Sequence, residues 1–195
     1  LQSGARAWSL DALEHDGQRW VAVGLQDKTA RLFDLATETQ SLCLNGHKGP
    51  VRVVRGMGSW LLSGATDHAV KQWDLQTGCC IQTLQGHTDV VLGLDPYGSN
   101  TFYSASKDST VVTWDLRSGK KVQTLEGHED GAWSVHFIPG KEVVVTGAGN
   151  GVLFVWPASR ALSPLATLSG HKQKVRSIAS LQWVVASASE DETLR

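Results

Sequence analysis

Short apolar runs of four to six residues, each broken by a turn-forming cluster, follow one another along the chain. In one stretch Val51–Arg55, Trp60–Ser63, Ala69–Trp73 and Cys80–Leu84 are separated by Gly56-Met57-Gly58-Ser59, Thr66-Asp67-His68 and Gln76-Thr77-Gly78. Runs of this length, rich in Val, Trp, Ile and Thr and bounded by small polar residues, predict β-strands joined by tight turns. No stretch long enough for a helix keeps its apolar positions at 3.6-residue spacing. Nor does a Pro-rich linker or charged tail mark off a second domain. The pattern predicts an all-β chain without helices longer than a turn or two.

The strands are organised in a repeat. Gly-His occurs at Gly46-His47, Gly86-His87, Gly127-His128 and Gly170-His171, with gaps of 40, 41 and 43 residues. A second marker, an aromatic closing a strand, stands at Phe33-Asp34, Trp73-Asp74, Trp114-Asp115 and Trp156-Pro157, with gaps of 40, 41 and 42. Two markers holding one period in fixed phase identify one supersecondary unit used several times. Such a unit, with Gly-His before its first strand and Trp-Asp ending its third, resembles the WD-repeat family, and the resemblance covers essentially the whole chain. It implies an all-β fold of β-propeller blades, each of four antiparallel strands, with about four blades and a partial fifth forming an open arc. The repeats are expected at 1–44, 45–84, 85–125, 126–168 and, in part, 169–195. First strands are expected near Ala7–Asp11, Val51–Arg55, Val91–Asp95, Ala132–Phe137 and Val175–Ala179. The closing aromatic of the last unit would fall at position 197, so the chain is expected to be a fragment of a longer propeller.

The resemblance also implies a hydrogen-bonded tetrad in each blade. Six and ten residues before the closing aromatic lie a turn carboxylate and a hydroxyl, giving the sets His47/Ser63/Asp67/Trp73 and His87/Ser104/Asp108/Trp114. Looser sets follow in His128/Thr146/Asn150/Trp156 and His171/Ser187/Asp191. The order makes chemical sense: indole N–H to hydroxyl, hydroxyl to one imidazole nitrogen, the other nitrogen to the carboxylate. The first unit departs, with Val23 and Phe33 beside Asp27 and its histidine position near Ser3. A His/Ser/Asp set invites a catalytic reading, but a hydrolase needs one triad in one pocket beside an oxyanion hole. A set that recurs once per blade and ends on a core tryptophan is structural. The four Gly-His histidines sit in four blades and cannot converge on one metal. His15, His68 and His136 have no recurring partners and are expected at the surface or in packing.

Bulk properties narrow the function classes. The 195 residues carry a formal net charge of -1, which argues against nucleic acid and membrane surfaces as partners. No apolar run approaches the ~20 residues of a membrane-spanning helix, and the first residues lack the apolar core of a secretory signal. Cys43, Cys79 and Cys80 are odd in number and lie at no metal-ligand spacing. A packing role in a reducing, intracellular compartment, cytoplasm or nucleus, is therefore expected, with no cofactor or metal.

The expected function is a non-catalytic scaffold that docks proteins or peptides on one propeller face and works in a multiprotein complex. In the resembling family the binding side chains sit three and five residues after the Gly-His histidine and one before the turn acid. Here these are Pro50, Arg52 and Thr66; Val90, Leu92 and Lys107; Gly131, Trp133 and Gly149; and Lys174, Arg176 and Glu190. Aligning Ala7-Trp8-Ser9-Leu10 with Ala132-Trp133-Ser134-Val135 adds Arg6, Trp8 and Gln26. Five of these fifteen are basic and one acidic, where 18 Lys and Arg in 195 residues would place one or two. Exposed tryptophans beside arginines predict a face that grips acidic or phosphorylated segments. Asp89, Glu129 and Asp130 weaken the field locally. The alternatives are a substrate receptor of a ubiquitin ligase resembling the F-box/WD-repeat proteins, a propeller enzyme, and a chromatin-binding module.

Overall fold

The computed structural model describes residues 4–159, 163–181 and 184–195. Its regular elements are all strands: β1 (Ala7–His15), β2 (Gln18–Leu25), β3 (Ala30–Asp34) and β4 (Gln40–Leu44); β5 (Val51–Met57), β6 (Trp60–Ala65), β7 (Val70–Asp74) and β8 (Cys80–Leu84). Then come β9 (Val91–Tyr97), β10 (Thr101–Ser106), β11 (Val111–Asp115) and β12 (Lys120–Leu125); β13 (Ala132–Ile138), β14 (Val143–Ala148), β15 (Leu153–Pro157) and β16 (Ala166–Leu168); and β17 (Val175–Leu181) with β18 (Val184–Ser189). Each group of four forms one sheet in chain order, and β17 with β18 forms a two-stranded sheet. Chain-order pairing is what tight hairpin turns enforce. The first strands run two to four residues beyond their expected ends in four sheets and one residue beyond in the sheet of β13. The expected histidine position near Ser3 lies outside the described residues.

The chain divides into two compact units, Leu1–Val91 and Leu92–Arg195. In the first, Trp20, Leu32, Leu44, Val51, Val54, Leu61 and Trp73 form a buried cluster drawn from its two sheets. In the second, Tyr103, Val135, Phe137, Val144 and Trp156 form one cluster, and Ile138, Val145, Leu153, Val175 and Ile178 another. The period-2 alternation of the strands supplies both faces of these cores, since consecutive side chains point to opposite sides.

Glycine sets how closely neighbouring sheets approach. A Cβ on Gly24 would stand 3.0 Å from Val51 Cγ1, and one on Gly147 would stand 2.7 Å from Val175 Cβ. Both residues lie in second strands, next to the first strand of the following sheet. The glycine of Gly-His answers a different need. Gly46 has φ +153°, and a Cβ there would lie 3.2 Å from Trp73 Cη2.

The three cysteines are exposed, not packed. Cys43 and Cys80 belong to β4 and β8, the fourth strands of their sheets, where alternation buries few residues. An apolar-looking run there is an edge strand rather than core.

Replacing Gly147 with Val is expected to destabilise the protein by about 1–3 kcal/mol, the range for overfilling a close-packed contact. Replacing Gly140, whose surroundings are open but whose φ is +78°, with Asn, which tolerates the left-handed region better than other side chains, is expected to cost less. Urea unfolding of the two variants checks the contrast.

Candidate functional site

A polar relay is buried beside the core in the sheets that follow the first, and it is fully laid out in the sheet β5–β8. Trp73 Nε1 donates to Ser63 Oγ at 2.7 Å, and Ser63 Oγ lies 2.7 Å from His47 Nε2. His47 Nδ1 faces Asp67 at 2.9 Å. Asp67 also accepts from the amides of Lys48 and Ala69. Because the indole already donates to Ser63, the hydroxyl proton goes to Nε2, leaving the proton on Nδ1 for the carboxylate. Burial alone would raise the Asp67 carboxyl, but the His47 hydrogen bond, the Lys48 amide, the charge of His47 and the Ala69 amide outweigh it and hold it at about 2. The pattern recurs in the last unit, where His171 Nε2 lies 2.8 Å from Ser187 Oγ and Nδ1 lies 3.0 Å from Asp191. Thr193, the Lys172 amide and His171 hold that carboxyl well below the usual carboxylate range.

The other sets carry the same residues or depart from them. Trp114 Nε1 donates to Ser104 Oγ at 2.8 Å in the second unit, where Asp108 accepts from the Thr110 amide and hydroxyl. His87 is buried in the first unit. In the sheet β13–β16, Trp156 Nε1 donates to Thr146 Oγ1 at 2.9 Å, and His128 Nε2 lies 2.7 Å from the same hydroxyl. There the relay stops: His128 Nδ1 is buried without a hydrogen-bond partner. Burial lowers the His128 imidazole to about 4, so it is neutral at physiological pH. In the first sheet Asp27 turns to Thr29 and Arg31 instead, and the Trp20 indole nitrogen is buried without a partner. One feature is common to all five turns. The acid or amide accepts from the backbone N–H two residues on, at 3.0–3.2 Å, for Asp27, Asp67, Asp108, Asn150 and Asp191.

The expected partner-binding residues sit on the loops this relay fixes. The amide before each turn acid donates to the carbonyl just before the first strand: Gln26 to Arg6, Thr66 to Pro50, Gly149 to Gly131 and Glu190 to Lys174. Pairing then slips by one residue between Ala7 and Ser9, Val51 and Val53, Ala132 and Ser134, and Val175 and Ser177. The extra residues are Trp8, Arg52, Trp133 and Arg176. A β-bulge re-aims a side chain out of the regular alternation, and here it does so at one position of four sheets.

The four bulge residues meet in pairs, one pair within each unit. Arg6 Cζ and Arg52 Cζ lie 4.1 and 3.6 Å from the centre of the Trp8 ring, and Trp8 Nε1 donates to Gln26 Oε1 at 2.7 Å. Lys174 Nζ and Arg176 Cζ lie 4.7 and 4.2 Å from the centre of the Trp133 ring. Here Glu190 accepts from Arg176 Nε at 2.8 Å and stands 3.5 Å from Lys174 Nζ. The Arg176 hydrogen bond and the two cations lower its carboxyl. Both tryptophans are therefore half-buried under cations, not exposed as expected. Of the remaining positions, Thr66, Val90 and Leu92 are half-buried and Lys107 is exposed.

Sequence reasoning missed a second set of polar links, between first strands. Asp11 accepts from the Gly56 amide at 2.8 Å and pairs with Arg55 at 3.2 Å. Asp95 accepts from the Phe137 amide at 2.7 Å and faces His136 Nδ1 at 3.2 Å, while His136 Nε2 lies 2.9 Å from Ser180 Oγ. His136 is thus bonded on both nitrogens rather than a bare surface or packing residue. The available signal was that Asp11 and Asp95 hold the fifth place of first strands, two repeats apart. Among the described residues no group of three or more His, Cys, Asp or Glu could hold a metal, and no helix is long and apolar enough to cross a membrane.

The profile of the WD domain, G-beta repeat family matches residues 38–74, 78–115, 119–157 and 162–195. The chain belongs to the WD-repeat family. The first three matches end within a residue of the closing aromatic pair, so each takes the fourth strand of one sheet and three strands of the next. Proteins of this family generally mediate protein interactions or scaffolding. Cell division control protein 4 of Saccharomyces cerevisiae is 38% identical over 77 residues, covering 39% of this chain and 10% of that protein. Coatomer subunit beta'-2 of Arabidopsis thaliana is 36% identical over 66 residues, 32% of this chain and 7% of that one. Polyadenylation factor subunit 2 of Neurospora crassa is 36% identical over 70 residues, 33% of this chain and 10% of that one. The matched segments thus span a tenth or less of these relatives. The crystal structure of the computationally designed Ika8 protein superposes with a TM-score of 0.83 at 27% identity, covering 97% of this chain and 57% of that one.

Two outcomes follow from the relay. Trp73→Ala or Trp114→Ala is expected to cost about 3–5 kcal/mol, and Asp67→Ala about 1–3 kcal/mol for the buried donors it strands; thermal unfolding ranks them. Because the Asp67 carboxyl is lowered from 3.8 to about 2, its contribution is complete above its unfolded value and disappears as pH falls through that window. Asp67→Asn is expected to flatten the acid limb of a stability–pH profile between those values.

Proposed function

We propose that this chain is a non-catalytic docking module whose bulge-bearing face binds acidic or phosphorylated segments of partner proteins. The observation that carries the reading is the repeated bulge, which delivers Trp8, Arg52, Trp133 and Arg176 to one edge of their sheets. A guanidinium is a planar fork suited to paired hydrogen bonds with carboxylate or phosphate oxygens, and at Arg176 it already holds a carboxylate, that of Glu190. Stacking also removes rotamer freedom before binding, which lowers the entropic cost of association. The names of two relatives, a coatomer subunit and a polyadenylation factor subunit, support work inside an intracellular multiprotein assembly.

The two clusters differ in charge. Glu190 already occupies the cations beside Trp133, whereas the aligned position beside Trp8 is the neutral Gln26. An acidic ligand displaces nothing ionic from Gln26 but must replace Glu190 at the other cluster. Arg52→Glu with Arg176→Glu, in the full-length protein, is expected to weaken a phosphorylated or Glu-rich partner segment about tenfold or more, roughly 1.4 kcal/mol per tenfold. Most of the loss is expected from Arg52→Glu. Melting should be unchanged, and wild-type binding should weaken as salt is raised. Binding that survives the pair of reversals, or ignores salt, places the contact on another surface. Isothermal titration across a salt series reads both.

A further inference from the structure

In the sheet β13–β16 an amide side chain stands at the turn position where other sheets carry a carboxylate. In the sheet β5–β8 the turn acid offers two oxygens. Asp67 Oδ1 accepts from the Ala69 amide, and Oδ2 accepts from the Lys48 amide at 2.7 Å while facing His47 Nδ1 at 2.9 Å. The last unit repeats this with Asp191, the Lys172 amide at 2.9 Å and His171 Nδ1 at 3.0 Å. In the sheet β13–β16 the aligned residue is Asn150. Its Oδ1 keeps the first role, accepting from the Val152 amide at 3.2 Å. Its amide nitrogen therefore takes the place of the second oxygen, a donor where Asp67 and Asp191 present an acceptor.

Three donors result where the other turns have two donors and an oxygen. Thr146 accepts from the Trp156 indole and donates its hydroxyl hydrogen bond to His128 Nε2, so the imidazole proton stands on Nδ1. His128 is 7% exposed, and that Nδ1 is buried with no partner. The Glu129 amide, aligned with those of Lys48 and Lys172, meets no carboxylate at Asn150. A buried donor left unmatched costs about 1–3 kcal/mol, which an incoming acceptor recovers.

His128 opens into a cleft of about 180 Å³ lined by Gly127, Glu129, Asn150, Val152, Phe154 and Thr167. At about 30 Å³ per water, this has room for a carboxylate and a short apolar tail. Phe154 supplies the apolar wall, its ring 4.7 Å from that of His128. Glu129, exposed at the rim, opposes a second negative charge further out. We propose that this cleft binds a short monocarboxylate, whose oxygens take the place of the missing turn acid against His128 Nδ1, the Glu129 amide and the Asn150 amide nitrogen. No residue lining this cleft belongs to the Trp8 or Trp133 cluster, so the charge reversals and the propionate titration test different residues.

The test is a titration of the full-length protein with propionate, read on the His128 ring resonances and the melting temperature. Propionamide, its neutral counterpart, serves as control. The expected result is a saturable shift of the His128 resonances and a rise in melting temperature with propionate only. Asn150→Asp supplies the carboxylate from within and is expected to weaken the propionate response about tenfold or more. It also raises the His128 titration from about 4 by about 1–3 pH units, as an adjacent carboxylate does. Folding of this variant is secured by Asp67 and Asp191, which hold the same place in other sheets. A blocked peptide with one glutamate is titrated alongside. A response to it as well as to propionate means that a partner chain can supply the carboxylate, and a response to propionate alone restricts the site to small molecules. The proposal fails if the wild-type His128 resonances ignore propionate, if propionamide matches it, or if Asn150→Asp responds as the wild type does.

Discussion

A buried indole N–H is costly to leave without an acceptor, and from the acceptor that Trp73 finds much of its blade follows. Trp73 is 1% exposed and has no water to turn to. Ser63 on the neighbouring strand accepts, and having accepted it must place its own proton, which only the His47 ring can take. The imidazole then needs Asp67. Each step is directional, and each unmet step would cost about 1–3 kcal/mol. The relay therefore fixes the loop before the first strand and the turn after the second relative to the third strand. A tryptophan in the core thereby positions two loops at the surface.

Those two loops carry the residues proposed to dock partners, so the buried relay and the proposed docking face are covalent neighbours. Thr66 precedes Asp67, and its amide is held by the Pro50 carbonyl. Arg52 follows two residues later as the bulge. The same sequence of events places Glu190, Lys174 and Arg176 beside Asp191 and His171. A surface built this way needs few contacts of its own to be rigid, because the buried relay beneath it supplies the order. Relays that are incomplete, as at Asp27 and Asn150, still keep the turn, since the bond from the backbone two residues on is common to all five.

The fold class, the strand order and the pairing of distant loops were legible in the sequence because they depend on period and on residue type. Gly-His and Trp-Asp in fixed phase gave the four sheets, and offsets of six and ten residues found Ser63 and Asp67 for Trp73. What was not legible depends on three-dimensional proximity. The alternation of apolar residues in β4 and β8 is the same for a buried and an edge strand, so Cys43 and Cys80 read as core and are exposed. Trp8 and Trp133 read as exposed because no local rule announces a cation on the following sheet. The links from Asp11 to Gly56 and from Asp95 to Phe137 use a backbone amide as donor, so only the acid at the fifth place of the first strand marks them in the sequence.

The contrast between Gln26 and Glu190 shows how a repeat can diverge without loss of its frame. Both positions precede a turn acid, and both donate their amide to the first-strand neighbour. The side chain is thus free of any folding duty and can be chosen for the surface it makes. At Trp8 a neutral amide accepts from the indole and leaves the charge of the arginines uncompensated by that residue. At Trp133 a carboxylate shares two cations. Exposed ion pairs of this kind contribute little to stability, so under the docking role proposed above Glu190 would set selectivity: a ligand would have to outcompete a tethered carboxylate, and only one offering more charge or better geometry than a single glutamate, such as a phosphate, would gain by the exchange.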